Sequence, residues 1–131
     1  MIKVFQNVLT EAERNRLNGP NGGWDSEPRF SRYADVSVFG NAESALKAWN
    51  AGDYTHVANV YCESKEHAYR QTNHITGSWQ DNSDVVAVGA AIDGAKSTSV
   101  GDVLAVPVEN GYELFVVASF GFESFAFVNN V

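Results

Sequence analysis

Cysteine, proline and late basic side chains are the scarcities of this 131-residue chain: one Cys, three Pro, and only Lys96 as a cation beyond residue 70. A lone Cys62 rules out an intramolecular disulfide framework and fits a reducing compartment. No apolar run reaches the roughly 18 residues of a membrane-spanning helix, so no membrane contact is expected. The opening MIKVFQNVLTEAERNR lacks the apolar stretch of a secretory signal, and the expected location is the cytoplasm.

The shortage of cations is uneven. Residues 1–70 hold eight Lys or Arg against nine Asp or Glu. Beyond them Lys96 faces Asp81, Asp84, Asp93, Asp102, Glu109, Glu113 and Glu123. Such a surface repels phosphate backbones, which disfavours direct nucleic-acid binding. It suits a protein partner with a basic surface, and it also keeps a cytoplasmic protein soluble.

Familiar reactive constellations are missing too. His56, Cys62, His67 and His74 lie within nineteen residues, but their gaps of six, five and seven residues supply at most one pair at the two-to-five spacing of zinc ligands; no metal is expected. Cys62 precedes a helix start, where a thiol can be acidified, yet Glu63 opposes that and no nucleophile elbow is present. Asp81-Asn82-Ser83-Asp84 lacks the glycine that a calcium loop of the EF type needs at its sixth position. Gly19-Pro20-Asn21-Gly22-Gly23 follows a helix and lacks the Lys-Ser/Thr of a phosphate loop. No cofactor and no catalytic residue is assigned.

Apolar content of 44% with 19% charged residues places the chain among globular domains. Residues 2–6 alternate as a strand, and Thr10-Glu11-Ala12-Glu13 opens a helix as a capping box, ended at Gly19-Pro20. Residues 18–28 read as the longest loop, and Tyr33–Phe39 alternates as a strand. Asn41 caps a second helix with Ala42, Ala45, Leu46 and Trp49 on one face. A strand at 54–61 leads to a third helix capped by Ser64, with Ala68, Thr72 and Ile75 on its core side. After a polar loop at 76–84, strands are expected at 85–92, 100–108 and 112–120. Asn110-Gly111 reads as a type I′ turn between the last two, and FESFAFVNNV as a closing strand. The expectation is one α+β domain over residues 1–131, with a mainly antiparallel sheet of about five to seven short strands and two to three helices.

Trp24, Tyr33 and Trp79 fall in or beside loops, where a large aromatic either pins the loop to the core or anchors a ligand. Arg29 and Arg32 flank the first loop and have Asp25 and Glu27 or an acidic ligand as partners. In STSVGDVLAV, residues 97–106, Gly101 frees the backbone and Asp102 can bind nearby N–H groups. That stretch reads as the launch of a strand and not as a catalytic Ser/Asp pair.

Thr72-Asn73-His74 with Trp79, Ser97-Thr98-Ser99-Val100-Gly101-Asp102-Val103, and Phe120-Gly121-Phe122-Glu123 occur in this order. Together with GGWDSEPRFSRYADV at 22–36, they resemble small proteins of tailed phages and plasmids related to the YodL-like domain of mobile elements. The resemblance runs from about Gly22 to Phe125. It implies a mobile-element origin and an accessory role in countering host defences or altering host machinery, without supplying a reaction.

The leading expectation is a non-enzymatic module that binds a host protein through its acidic half. Candidate binding residues are Trp24, Tyr33, Trp79, Asp81, Asp84, Asp102 and Glu123. Two alternatives stand beside it: a small enzyme or small-molecule-sequestering domain with an aromatic-lined pocket, and a self-assembling protein that forms a homodimer or larger array through an apolar edge strand.

Overall fold

The structure is a computed structural model that describes residues 1–73 and 78–131. His74 and Ile75, and the start of the expected loop at 76–84, lie outside the described residues.

Six strands form one antiparallel sheet in the order β3-β2-β1-β4-β5-β6: β1 Ile2–Asn7, β2 Tyr54–Val60, β3 Val85–Ala87, β4 Val103–Val108, β5 Gly111–Val117 and β6 Phe122–Val128. Four helices accompany it among the described residues: α1 Glu11–Leu17, α2 Pro28–Phe39, α3 Ala42–Asn50 and α4 Lys65–Gln71. The fold is α+β, with four helices where two to three were expected.

Helices cover both faces of the sheet. On one face Ala68 and Tyr69 of α4 join Trp79 against Ile2, Val4, Ala58, Val60 and Leu104. On the other, Trp49 and Ala45 of α3 and Val36 of α2 meet Phe5, Val103, Ala105, Leu114 and Val116. Strand β1 sits between the two layers, so its residues from Val4 to Asn7 are buried without alternation.

The additional helix is α2, where a strand was expected. Alternation of Tyr33, Asp35, Ser37 and Phe39 with Ala34, Val36 and Val38 has period two, yet the segment folds as a helix that buries Phe30 and Val36. Pro28 occupies the first turn, where a missing N–H costs nothing. Gly40 closes the helix at φ 54° and returns its N–H to the Val36 carbonyl at 2.9 Å.

Other boundaries shift by local chemistry. The capping box at Thr10 forms in both directions: Glu13 N–H donates to Thr10 Oγ1 at 3.1 Å, and Thr10 N–H to Glu13 Oε1 at 2.8 Å. Helix α3 buries Ala45 and Ala48 and leaves Leu46 exposed, so its inward face is turned from the one expected. The strand expected at 85–92 stops at Ala87; Gly89, at φ 59°, opens a 3₁₀ turn over Gly89–Asp93. The β4–β5 turn has Glu109 and Asn110 at its centre, since Val108 pairs with Gly111. Asn110 is the one central residue with positive φ, 66°, so a type I′ turn, which needs two, does not form.

Candidate functional site: a sheet face beside the β6 edge

The STSVGDV corner is built around a buried carboxylate. Asp102 is 2% exposed. Its Oδ1 accepts the Asn7 N–H at 3.0 Å, and its Oδ2 accepts the Ser99 N–H at 2.9 Å and pairs with the Lys96 ammonium. Burial holds this carboxyl above the usual carboxylate range, against the pull of Lys96 and the two amides. Thr98, also buried, donates its N–H to the Thr72 carbonyl at 2.9 Å and accepts from Gln6 Nε2 at 3.3 Å. Gly101 stands at φ 92°, and a Cβ there would lie 2.7 Å from the Val36 carbonyl oxygen. Each part of the motif fastens the start of β4 to β1, α2 or α4.

A cleft of about 250 Å³ opens beside this corner, lined by Tyr33, Ser37, Lys96, Ser99 and Asp102 among others. Lys96 Nζ lies 3.2 Å from Ser99 Oγ, the separation of a serine–lysine dyad. A lysine that donates to a buried carboxylate is a cation with no lone pair to offer, so it does not activate the serine. The polar chain continues away from the cleft. Asn7 Oδ1 accepts from Arg29 at 2.7 Å, and Asp53, nearly enclosed, takes Arg32 through two bonds of 2.7 and 3.0 Å and Arg29 at 3.4 Å. Arg29 therefore pairs with Glu13 and Asp53, and Arg32 with Asp53, while Glu27 pairs with Arg16. The pairs on Asp53 are structural ion pairs inside the fold, whereas Arg16–Glu27 lies on the surface.

The aromatic candidates separate. Trp24 stacks on Tyr33, with ring centroids 5.9 Å apart and planes at 7°, and remains half exposed at 51%. Trp79 is fully buried and donates its indole N–H to the Lys96 carbonyl at 2.9 Å. It pins its loop to the core, and no cleft found among the described residues joins it to the other two.

The acidic candidates separate as well. Asp81 is exposed on the 3₁₀ turn Trp79–Asp81. Asp84 bonds His67 Nε2 at 2.6 Å. Glu123 accepts the Ala42 N–H at 3.0 Å and so helps cap α3. Asp102 is enclosed, as described. Cys62 lies near Asp84, and burial raises its thiol above the usual range, which keeps it protonated and weakly nucleophilic. Among the described residues, no cluster of His, Cys, Asp and Glu is placed to hold a metal ion.

What the candidates miss is the sheet surface at β4–β5–β6. Val106, Glu113 and Phe127 stand in register across the three strands, on the face that carries Leu104, Phe115 and Ser124 in the next row. Helix α4 covers the β1 side of this face and reaches Phe122 at the start of β6 through Tyr69, but leaves the far end of the face open: Phe127 is 71% exposed and Val108 40%. Glu113 lies among these apolar groups and accepts the Ser124 hydroxyl at 2.7 Å. The cation that reaches the patch is Lys65, 4.8 Å from the Phe115 ring centre and paired with Glu66. At the β5–β6 turn Phe120 is 97% exposed. The signal for this surface is present in the sequence as Ser-Phe-Ala-Phe-Val next to a long cation-free stretch, residues 97–131.

No protein-family model matches the chain, and neither the curated proteins nor the solved structures contain a match.

Proposed function

We propose that this chain is a protein-binding accessory protein of a phage or other mobile element, which docks on a host protein with a basic surface and inhibits or redirects it. Phe127 carries the reading. A phenyl ring left 71% exposed beside Glu113 and Val106, on a strand held in register by a full sheet, is an apolar anchor with an acidic neighbour. Covering it on binding is worth about 2 kcal/mol. Net charge of −7, with no Lys or Arg from residue 97 onward, favours basic partners and accelerates their approach at low salt. The phage-like and plasmid-like sequence motifs support the biological setting, and cytoplasmic residence in the host cell accords with it.

The test is affinity capture from a bacterial host lysate with the tagged chain, at low and high salt, alongside Phe127→Ser and Glu113→Gln. The expected outcome is a basic protein retained at low salt, released at high salt, and lost with Phe127→Ser. Absence of any salt-sensitive partner, or capture indifferent to both substitutions, overturns the reading.

A further inference from the structure

We infer that the outer edge of β6 accepts an extended segment bearing lysine or arginine as a seventh strand of the sheet. This rests on the protein-binding reading above and names how the partner engages. β6 is the last strand in the sheet order: β5 occupies one side, and among the described residues no strand occupies the other. In an antiparallel ladder alternate residues direct their N–H and C=O groups to the free side, where they form a template for another chain.

The two edges of this sheet are finished differently. β3 is three residues long and runs at once into the 3₁₀ turn Gly89–Asp93. β6 has seven residues and contains neither Pro nor Lys, the usual blocking residues of edge strands. Its one irregularity is a bulge that leaves Phe125 without a partner on β5, turned inward near Trp49. Beyond that bulge, Ala126, Phe127 and Val128 resume regular pairing.

Charge selects the occupant. The two hairpins that end in β6 carry Glu109, Glu113 and Glu123 and no cation, so a second copy would set acid against acid. An extended basic segment with its cations on the face of Phe127 and Ser124 brings them within reach of Glu113, and its alternate apolar residues then lie on the opposite face beside Ala126 and Val128.

The probe is the capped peptide Lys-Val-Lys-Val-Lys-Val-Lys, with Glu-Val-Glu-Val-Glu-Val-Glu as control. It is titrated into the full chain while amide exchange of β6 is followed by NMR. The expected result is saturable binding of the basic peptide alone, with alternate amides between 122 and 128 exchanging about ten-fold more slowly on saturation. Glu113→Gln and Phe127→Lys should each weaken binding by about five-fold, and unchanged core amides in the free variants show that both remain folded. Equal binding of the acidic peptide, binding that leaves every β6 amide unprotected, no binding of the basic peptide, or protection of β6 through dimerisation of the chain alone overturns the inference. Host-protein capture with unprotected β6 amides removes strand addition and keeps the protein-binding reading; failure of capture removes the reading itself.

Discussion

Asn7 donates its backbone N–H to the carboxylate of Asp102 across 3.0 Å, which ties the end of β1 to the start of β4. The same carboxylate holds the Ser99 amide and Lys96. Removing it strands two buried or part-buried donors and an ammonium group. Asp102→Ala should cost about 3 kcal/mol, measured as the loss of unfolding free energy in urea. Asp102→Asn keeps one acceptor and should lose less. An Asp102→Ala variant as stable as the parent would show that the corner is not held by this group.

The same pair makes stability depend on pH in a set direction. Burial raises the folded pKa of Asp102 above its unfolded value, so between those two values the native state binds more protons than the unfolded chain. Asp102's contribution to stability therefore falls as pH rises from the usual carboxylate range through the raised folded pKa, and is level above it. Lys96→Met removes the opposing charge and moves the folded pKa higher still. The variant's deficit should be largest near neutral pH and should narrow by about 1 kcal/mol or more at about pH 4.5. Parallel urea titrations at the two pH values decide this, and a deficit that widens on acidification refutes it.

Two of the three tryptophans should report opposite environments. Trp79 is fully buried, with its indole N–H bonded to Lys96, whereas Trp24 is 51% exposed over Tyr33. Trp79→Ala should cost about 4 kcal/mol through the cavity left in the core, and Trp24→Ala under about 1 kcal/mol. Acrylamide quenching of the Trp24→Phe variant should drop relative to the parent, while that of Trp79→Phe should rise in proportion. Equal stability losses for the two alanine variants would contradict the placement of Trp79.

How far the sequence could be read depended on whether the deciding signal was local. Capping at Thr10, Asn41 and Ser64 formed as expected because a cap involves residues three apart. Strand alternation was legible where one face met solvent, and α+β architecture followed from the order of elements. Residues 33–39 misled because a seven-residue alternation outweighed the Pro28 and Gly40 signals that flank it, and because the packing of Val36 against Val116 is decided far along the chain. Asp102 does launch a strand, but its burial depends on Asn7, at a sequence separation of 95 that no local pattern reveals. Phe127 was missed for a subtler reason. Phe125 and Phe127 share a face in a regular strand; the bulge at Phe125 sends one to Trp49 and the other to solvent.

Gly101 should be nearly irreplaceable. At φ 92° an L side chain is strained, and its Cβ would stand 2.7 Å from the Val36 carbonyl oxygen. Both effects act on the native state, so Gly101→Ala should destabilise the fold by about 2 to 3 kcal/mol in denaturant unfolding. Gly52, also at positive φ (78°) but with open space around it, is the control: Gly52→Ala should cost about 1 kcal/mol from backbone strain alone. Equal losses at the two sites would mean that α2 does not press on the β4 launch.

Phe127 offers the cleanest separation of binding from folding. Its ring is largely in water, so removing it forfeits little packing, and Phe127→Ser should change unfolding free energy by less than about 0.5 kcal/mol. The same substitution removes the largest apolar group of the open β4–β6 face and should abolish retention of the host partner. Phe125→Ser is the counterpart: that ring is half-buried against Trp49 at the margin of the core, and its loss should cost about 2 kcal/mol. Urea unfolding and partner capture on the two variants give opposite patterns if the bulge divides structure from function along β6. A Phe127→Ser variant that unfolds as readily as Phe125→Ser would place Phe127 in the core and remove the exposed face on which binding depends.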